Sequence, residues 1–106
     1  MNLPKTIRVG AIDYSVEKIG GLSANESMWG RILYGSTVIE LEGALNDTKL
    51  RDVFAHELAH ALLFEAGYED HEEEQANRVG KVLAMMLRDN DFSFMRDKEG
   101  GEWAKN

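Results

Sequence analysis

From Val53 to Phe64 the chain reads Val-Phe-Ala-His-Glu-Leu-Ala-His-Ala-Leu-Leu-Phe, two histidines and a carboxylate set in an apolar run with no Gly or Pro. Such a run folds as a mostly buried helix. At about 100° per residue, His56 and His60 fall one turn apart on one face, so both imidazoles reach a single ion while Glu57 flanks it. Burying two His and a Glu without a partner costs on the order of several kcal/mol, and a bound metal removes that cost. Neutral imidazole is a good Zn²⁺ ligand, and a carboxylate beside a metal-held water can take its proton, which makes Glu57 the candidate base. His-Glu-x-x-His also arises by chance in roughly one chain of this size in several hundred, so the helical, apolar setting is what gives the motif weight.

Asn46, Asp47 or Thr48 can cap this helix, and Gly67 ends it in a left-handed conformation. Its apolar residues fall on two stripes, one of Leu50, Phe54, Leu58, Ala61 and Leu62, the other of Val53, Phe64 and the two His. A helix apolar on two sides is enclosed, here by a sheet and a further helix. That further helix is predicted over about Glu72 to Asn90, its acidic first turn suited to the helix dipole. Its one sustained inward stripe is Glu73, Ala76, Asn77, Gly80, Leu83, Leu87. The small Ala76 and Gly80 let two helix backbones approach and bring Glu73 over the His pair. Glu73 is therefore the leading third ligand, with His71 its main rival and Glu72, Glu74 and Glu65 behind. Asn77, one turn after Glu73, can hydrogen-bond a ligand and orient it.

The first half of the chain carries strand signals. Thr6 to Val9 and Ile12 to about Gly20 read as one hairpin across Gly10 and Ala11, and Trp29–Tyr34 with Thr37–Glu42 as a second joined at Gly35-Ser36. Between them, Gly20 to Ser27 is turn-rich and reads as a surface loop. Tyr14, Trp29 and Tyr34 are read as sheet packing, and Met85 and Met86 as core filling. The expected fold is α+β: an antiparallel meander of three to four strands packed on two long helices. Phe92, Phe94, Met95 and Trp103 are expected to pin the tail, with 97–106 frayed.

At 106 residues the chain is expected to be one domain over 1–106. It has no Cys, which excludes disulfides and thiolate zinc sites and suits a reducing cytosol. The start, Met-Asn-Leu-Pro-Lys, lacks the apolar segment of a secretion signal, and no apolar run is long enough to span a bilayer. The expectation is a cytoplasmic protein without membrane attachment. A net charge of −7 without a Lys/Arg cluster opposes direct binding to nucleic acid. Nothing in the pattern sets an oligomeric state, and a monomer is the working expectation.

The run His56-Glu57-Leu-Ala-His60-Ala-Leu-Leu-Phe-Glu-Ala-Gly67, followed by Glu73-Glu-Gln-Ala-Asn77-Arg, resembles the ImmA/IrrE-type metallopeptidases, most of all the short single-domain versions carried by phages and prophages. The resemblance covers about a third of the chain. It implies a small zincin-like fold of gluzincin type: His56, His60 and Glu73 on zinc, Glu57 as catalytic base, and Asn77 as the Asp or Asn that follows the third ligand by one turn. A host cytoplasm is implied for a phage-encoded chain. Better-known relatives of this kind cleave a repressor-type regulator. In this chain Gln75-Ala76-Asn77 is followed by Arg78-Val79-Gly80, where an aromatic and Ala are usual. The long metzincin signature is absent, since it needs Gly at Leu63 and His at Ala66.

The expected function is thus a zinc-dependent endopeptidase acting on a protein or peptide, with Glu57 assisting attack by zinc-bound water. Tyr68 or His71 are candidate oxyanion donors, and Thr37 to Glu42 is the expected edge strand for pairing with an extended substrate. The alternative is a zincin-fold regulatory binding module with weak or no catalysis.

Overall fold

The architecture is α+β, four strands in one sheet and two long helices; the computed structural model describes residues 2–26 and 28–96. Strands β1 (Thr6–Val9) and β2 (Ile12–Ile19) pair antiparallel with Val9 opposite Ile12, and Gly10 supplies the positive φ, +63°, that their two-residue turn requires. Strands β3 (Gly30–Leu33) and β4 (Val38–Glu42) form the second antiparallel pair, with Leu33 opposite Val38. Both hairpins are the ones their local alternation dictates.

How the hairpins join differs from the expected meander. The order is β1-β2-β4-β3, and β2 runs parallel to β4, Ser15 opposite Val38 through Ile19 opposite Glu42. A parallel pair needs a long crossover, which residues 20–37 provide by sending the chain to the outer edge as β3 before returning it beside β2. Part of that crossover is a short helix, α1 (Leu22–Glu26), where a loop was expected. It is held from a distance: Leu22 is buried, and the buried Glu42 carboxylate accepts the N–H of Ser23 at 2.7 Å and of Ala44 at 3.0 Å. Those backbone N–H donors keep the Glu42 carboxyl below its usual range. Because β4 has a neighbour on each side, Thr37–Glu42 is not an edge; the edge strands are β1 and β3.

Tyr14, Ile39, Leu41, Leu50 and Ala61 form the core, joining the sheet to α2 (Asp47–Glu65). Asn46 caps α2, its Oδ1 accepting the N–H of Lys49 at 2.9 Å. At the other end Gly67, at φ +105°, allows its own N–H to reach the Phe64 carbonyl at 3.0 Å and that of Tyr68 to reach the Leu63 carbonyl at 2.9 Å, a Schellman closure. The second long helix, α3 (Glu73–Asp89), packs on α2, so α2 is sandwiched between sheet and helix as its two stripes require.

Being the outer layer, α3 leaves much of its surface open. Met85 and Met86 are 40% and 43% exposed, so they do not fill the core, and Leu62 and Leu87 are also exposed. Beyond α3, a 3-10 turn at Ser93–Arg96 leaves Phe94 exposed rather than pinned, while Phe92 and Met95 are half-buried. The expected frayed tail 97–106, with Trp103, lies outside the described residues. No helix among the described residues is long and apolar enough to cross a membrane.

The helices come closest at Gly80. A Cβ placed there would meet the His56 Cα at 3.1 Å and the Ala55 carbonyl oxygen at 3.2 Å, both backbone atoms of α2. Helix propensity and packing therefore pull in opposite directions at this position. Leu in place of Gly favours an isolated helix by up to about 1 kcal/mol, yet its side chain has no space at the crossing. Gly80→Leu is expected to destabilise the protein by about 1–3 kcal/mol net, a fall in Tm of roughly 4–8 °C per kcal/mol. Thermal unfolding checks this; an unchanged or raised Tm means the crossing is looser than described.

Candidate metal centre

The Gly80 crossing sets the opening turn of α3 over the middle of α2. Glu73, first residue of α3, thereby reaches both motif histidines: Nε2 of His56 donates to its Oε1 at 2.5 Å, and Nε2 of His60 lies 3.1 Å from its Oε2. One ligand atom from each of the three residues falls within 4.8 Å of the others. The histidine side chains are 23% and 12% exposed, while that of Glu73 is 68% exposed although its carboxylate faces inward. The expected ligand set is thus brought together.

The donors suit a cation. Two ligands of a tetrahedral ion at 2.0–2.1 Å stand about 3.3 Å apart. The His60–Glu73 spacing is close to that, and the exposed Glu73 side chain has room to withdraw from His56. Two imidazoles and a carboxylate, with no thiolate, also form a donor set that accepts several divalent ions. Burial opposes ionisation of Glu73, but the hydrogen bond from His56 and the electrostatic interaction with His60 outweigh it and lower its pKa. Burial also brings the His60 imidazole below its ordinary value, favouring the neutral ring that a metal needs.

Glu57 stands beside this triad with 6% of its surface exposed. Burial, and secondarily the Glu73 charge, push its carboxyl up to about 7. It lines a cleft of about 410 Å³ together with Met28, Trp29, Gly30, His56 and Glu73. One wall is the edge strand β3, which approaches α2 because Gly30 has no side chain: a Cβ there would sit 2.7 Å from Val53 Cγ1 and 3.2 Å from Glu57 Cγ. Trp29 is half exposed at the rim, with the Lys49 ammonium 3.9 Å above its ring. It lines the cleft and does not pack on the sheet as expected, whereas Tyr14 does, wholly buried with its hydroxyl donating to Glu65 at 2.7 Å.

The remaining candidates are placed as follows. Glu65 is occupied by Tyr14, Glu74 pairs with Arg78 at 2.6 Å, and the Glu72 N–H donates to Gln75 Oε1 at 2.7 Å. Asn77 is exposed in a neighbouring groove with His56, and among the described residues no hydrogen bond joins its side chain to Glu73 or the histidines. His71 meets Nδ1 of His60, the nitrogen remote from the triad, through its own Nε2 at 2.8 Å. Tyr68 presents its carbonyl to His71, and its exposed ring lines a groove away from the Glu57 cleft. Tyr34, read as sheet packing, stacks on Phe64 with centroids 4.1 Å apart. Burial raises its hydroxyl pKa, with further contributions from the charges of Glu57 and Glu73, so it lies within electrostatic reach of the centre. Only the spacing of Phe64 one turn after His60 hinted at that neighbourhood.

Comparison with known protein families, with curated proteins and with solved structures finds no match for this chain.

The raised pKa of Glu57 has a consequence for stability. A carboxyl whose folded value lies above its ordinary 4.5 stabilises the fold below that pH and loses the contribution as pH climbs through about 7. At about 1.4 kcal/mol per unit the whole loss is about 3 kcal/mol. With excess chelator present, Glu57→Gln should gain on the wild type by up to about 3 kcal/mol between about pH 4 and pH 8 in urea unfolding. A difference that does not change with pH would contradict the burial of an ionisable Glu57.

Proposed function

We propose that this chain is a metallopeptidase of gluzincin type, with zinc on His56, His60 and Glu73 and with Glu57 as general base toward a peptide bond in a protein substrate. The observation that carries this reading is the convergence of both histidine Nε2 atoms on one Glu73 carboxylate while Glu57 borders the same cleft. A structural zinc site closes all four positions with protein ligands; among the described residues three converge beside an open cleft, which supports a catalytic reading over a structural one. The resemblance of the His56–Gly67 and Glu73–Arg78 segments to ImmA/IrrE-type peptidases supports the same assignment, and with it a cytoplasmic protein substrate such as a repressor-type regulator.

When bound, the ion would supply Lewis acidity, polarising the scissile carbonyl and acidifying water. The protein's part is proton movement and positioning. Glu57, poised near neutral pH, takes the proton of the attacking water as the new C–O bond forms, then delivers it to the amide nitrogen as the C–N bond breaks. The apolar surroundings of the carboxyl keep it basic enough for the first step and acidic enough for the second. Strand β3, at an edge of the sheet beside the cleft, is the strand to which an extended substrate would add, the role first expected of Thr37–Glu42.

Two measurements test this together. Purified protein equilibrated with zinc should retain about one ion per chain, and Glu57→Gln should retain the same amount. Against labelled casein as an unstructured probe, or a peptide mixture if casein is not accepted, the variant should lose cleavage by about 10²–10⁴-fold. Absence of bound zinc from the wild type, or equal cleavage by the variant, overturns the proposal. Zinc retained by a wild type that cleaves neither probe and captures a partner intact would favour the binding module.

A further inference from the structure

His71 touches the centre from behind. Its Nδ1 lies 2.6 Å from the Tyr68 carbonyl oxygen and its Nε2 lies 2.8 Å from Nδ1 of His60. A carbonyl only accepts, so Nδ1 of His71 carries a hydrogen. In a neutral ring the other nitrogen is then an acceptor, and the hydrogen in the 2.8 Å contact has to come from Nδ1 of His60. His60 is left with a bare lone pair on Nε2, and that atom is the one facing Glu73 Oε2 at 3.1 Å. Two acceptors opposed at this distance repel unless a cation stands between them. The carbonyl that starts the chain is itself fixed, because the Tyr68 N–H is bound to Leu63 in the closure of α2 and the His71 N–H also donates to Tyr68 at 3.3 Å. The helix that carries His60 thus ends in the turn that determines which of its nitrogens is bare.

We propose that His71 is a positioning residue: the Tyr68 carbonyl and the His71 ring, acting in series through His60, hold Nδ1 of His60 protonated and aim its bare Nε2 at the metal ion. This rests on the reading of His56, His60 and Glu73 as a metal centre. It assigns His71 neither to the coordination sphere nor to the oxyanion. His60 is selected by this arrangement; among the described residues, His56 has only Glu73 as a hydrogen-bond partner on its ring. Partners on the far nitrogen of a ligating histidine fix its tautomer and raise its basicity, and their loss typically weakens metal binding by about 10–100-fold.

The test has two readouts. Long-range proton–nitrogen correlation on ¹⁵N-labelled, metal-free protein at about pH 8, above the ordinary histidine pKa, should show His60 as the Nδ1–H tautomer in the wild type. In His71→Ala it should become a mixture. Zinc competition against a chromogenic chelator should show one ion still bound by His71→Ala but about 10–100-fold more weakly, with part of the loss restored in His71→Gln, whose amide oxygen can accept from His60. Finding His60 as Nε2–H in the wild type overturns the proposal, as does an alanine variant with unchanged tautomer and affinity. So does a loss as complete as that of His60→Ala, which would make His71 a ligand. If the wild type binds no zinc, the peptidase reading falls while the tautomer still decides the His71–His60 relation. Should His71→Ala fail to fold, the wild-type tautomer and His71→Gln decide it.

Discussion

Everything distinctive in this molecule depends on how closely α3 crosses α2. At Gly80 the backbone of one helix lies against the backbone of the other at His56, with no side chain between them. Ala76, fully buried one turn earlier, continues the close approach towards the start of α3. Glu73 follows on the same stripe, so its carboxylate is delivered to His56 and His60 by main-chain geometry and not by a long flexible reach. A larger side chain at either small position would lift the opening turn of α3, and the three ligand atoms would separate.

On the opposite side of α2 the sheet applies a second constraint. Gly30 brings β3 onto Val53 and Glu57, and that contact removes the Glu57 carboxyl from water. Two absent side chains, on elements far apart in sequence, thus place the carboxylate that would bind the ion and shape the environment of the one that would move protons. The two carboxyls are driven apart in character as a result. Glu73, mostly exposed and paired with imidazoles, is held ionised, while Glu57 is held near its midpoint at neutral pH. Opposed environments for neighbouring titratable groups are how a single site keeps one carboxylate as a ligand and another as a base.

The sequence was most legible where physics is local. The caps at Asn46 and Gly67, the two stripes of α2 and the small residues of α3 are periodicity and turn chemistry, and they sufficed to bring Glu73 to the histidines. The hairpins were legible for the same reason. Their parallel junction was not, because nothing within either hairpin records which strand faces the other; the crossover and its short helix depend on Glu42 reaching back to Ser23. Trp29 was misplaced because strand periodicity does not reveal that β3 is an edge, where an aromatic can stand over Lys49 at the cleft. His71 was seen as a rival ligand, since spacing places it near the centre without telling which nitrogen of His60 it meets. Met85 and Met86 were assigned to a core that a third layer would have created; α3 is the outermost layer, so they remain exposed.

The proposed metal centre requires two imidazoles and the Glu73 carboxylate to share one ion. X-ray absorption at the zinc edge of the loaded protein measures that sphere directly. It should show low-Z ligands only, with imidazole outer-shell scattering fitted by two histidines and first-shell distances of about 2.0–2.2 Å, and Glu73→Ala should remove an oxygen while leaving the imidazole signal. A spectrum of hydrated zinc without imidazole scattering, or one unchanged by the loss of Glu73, would contradict it.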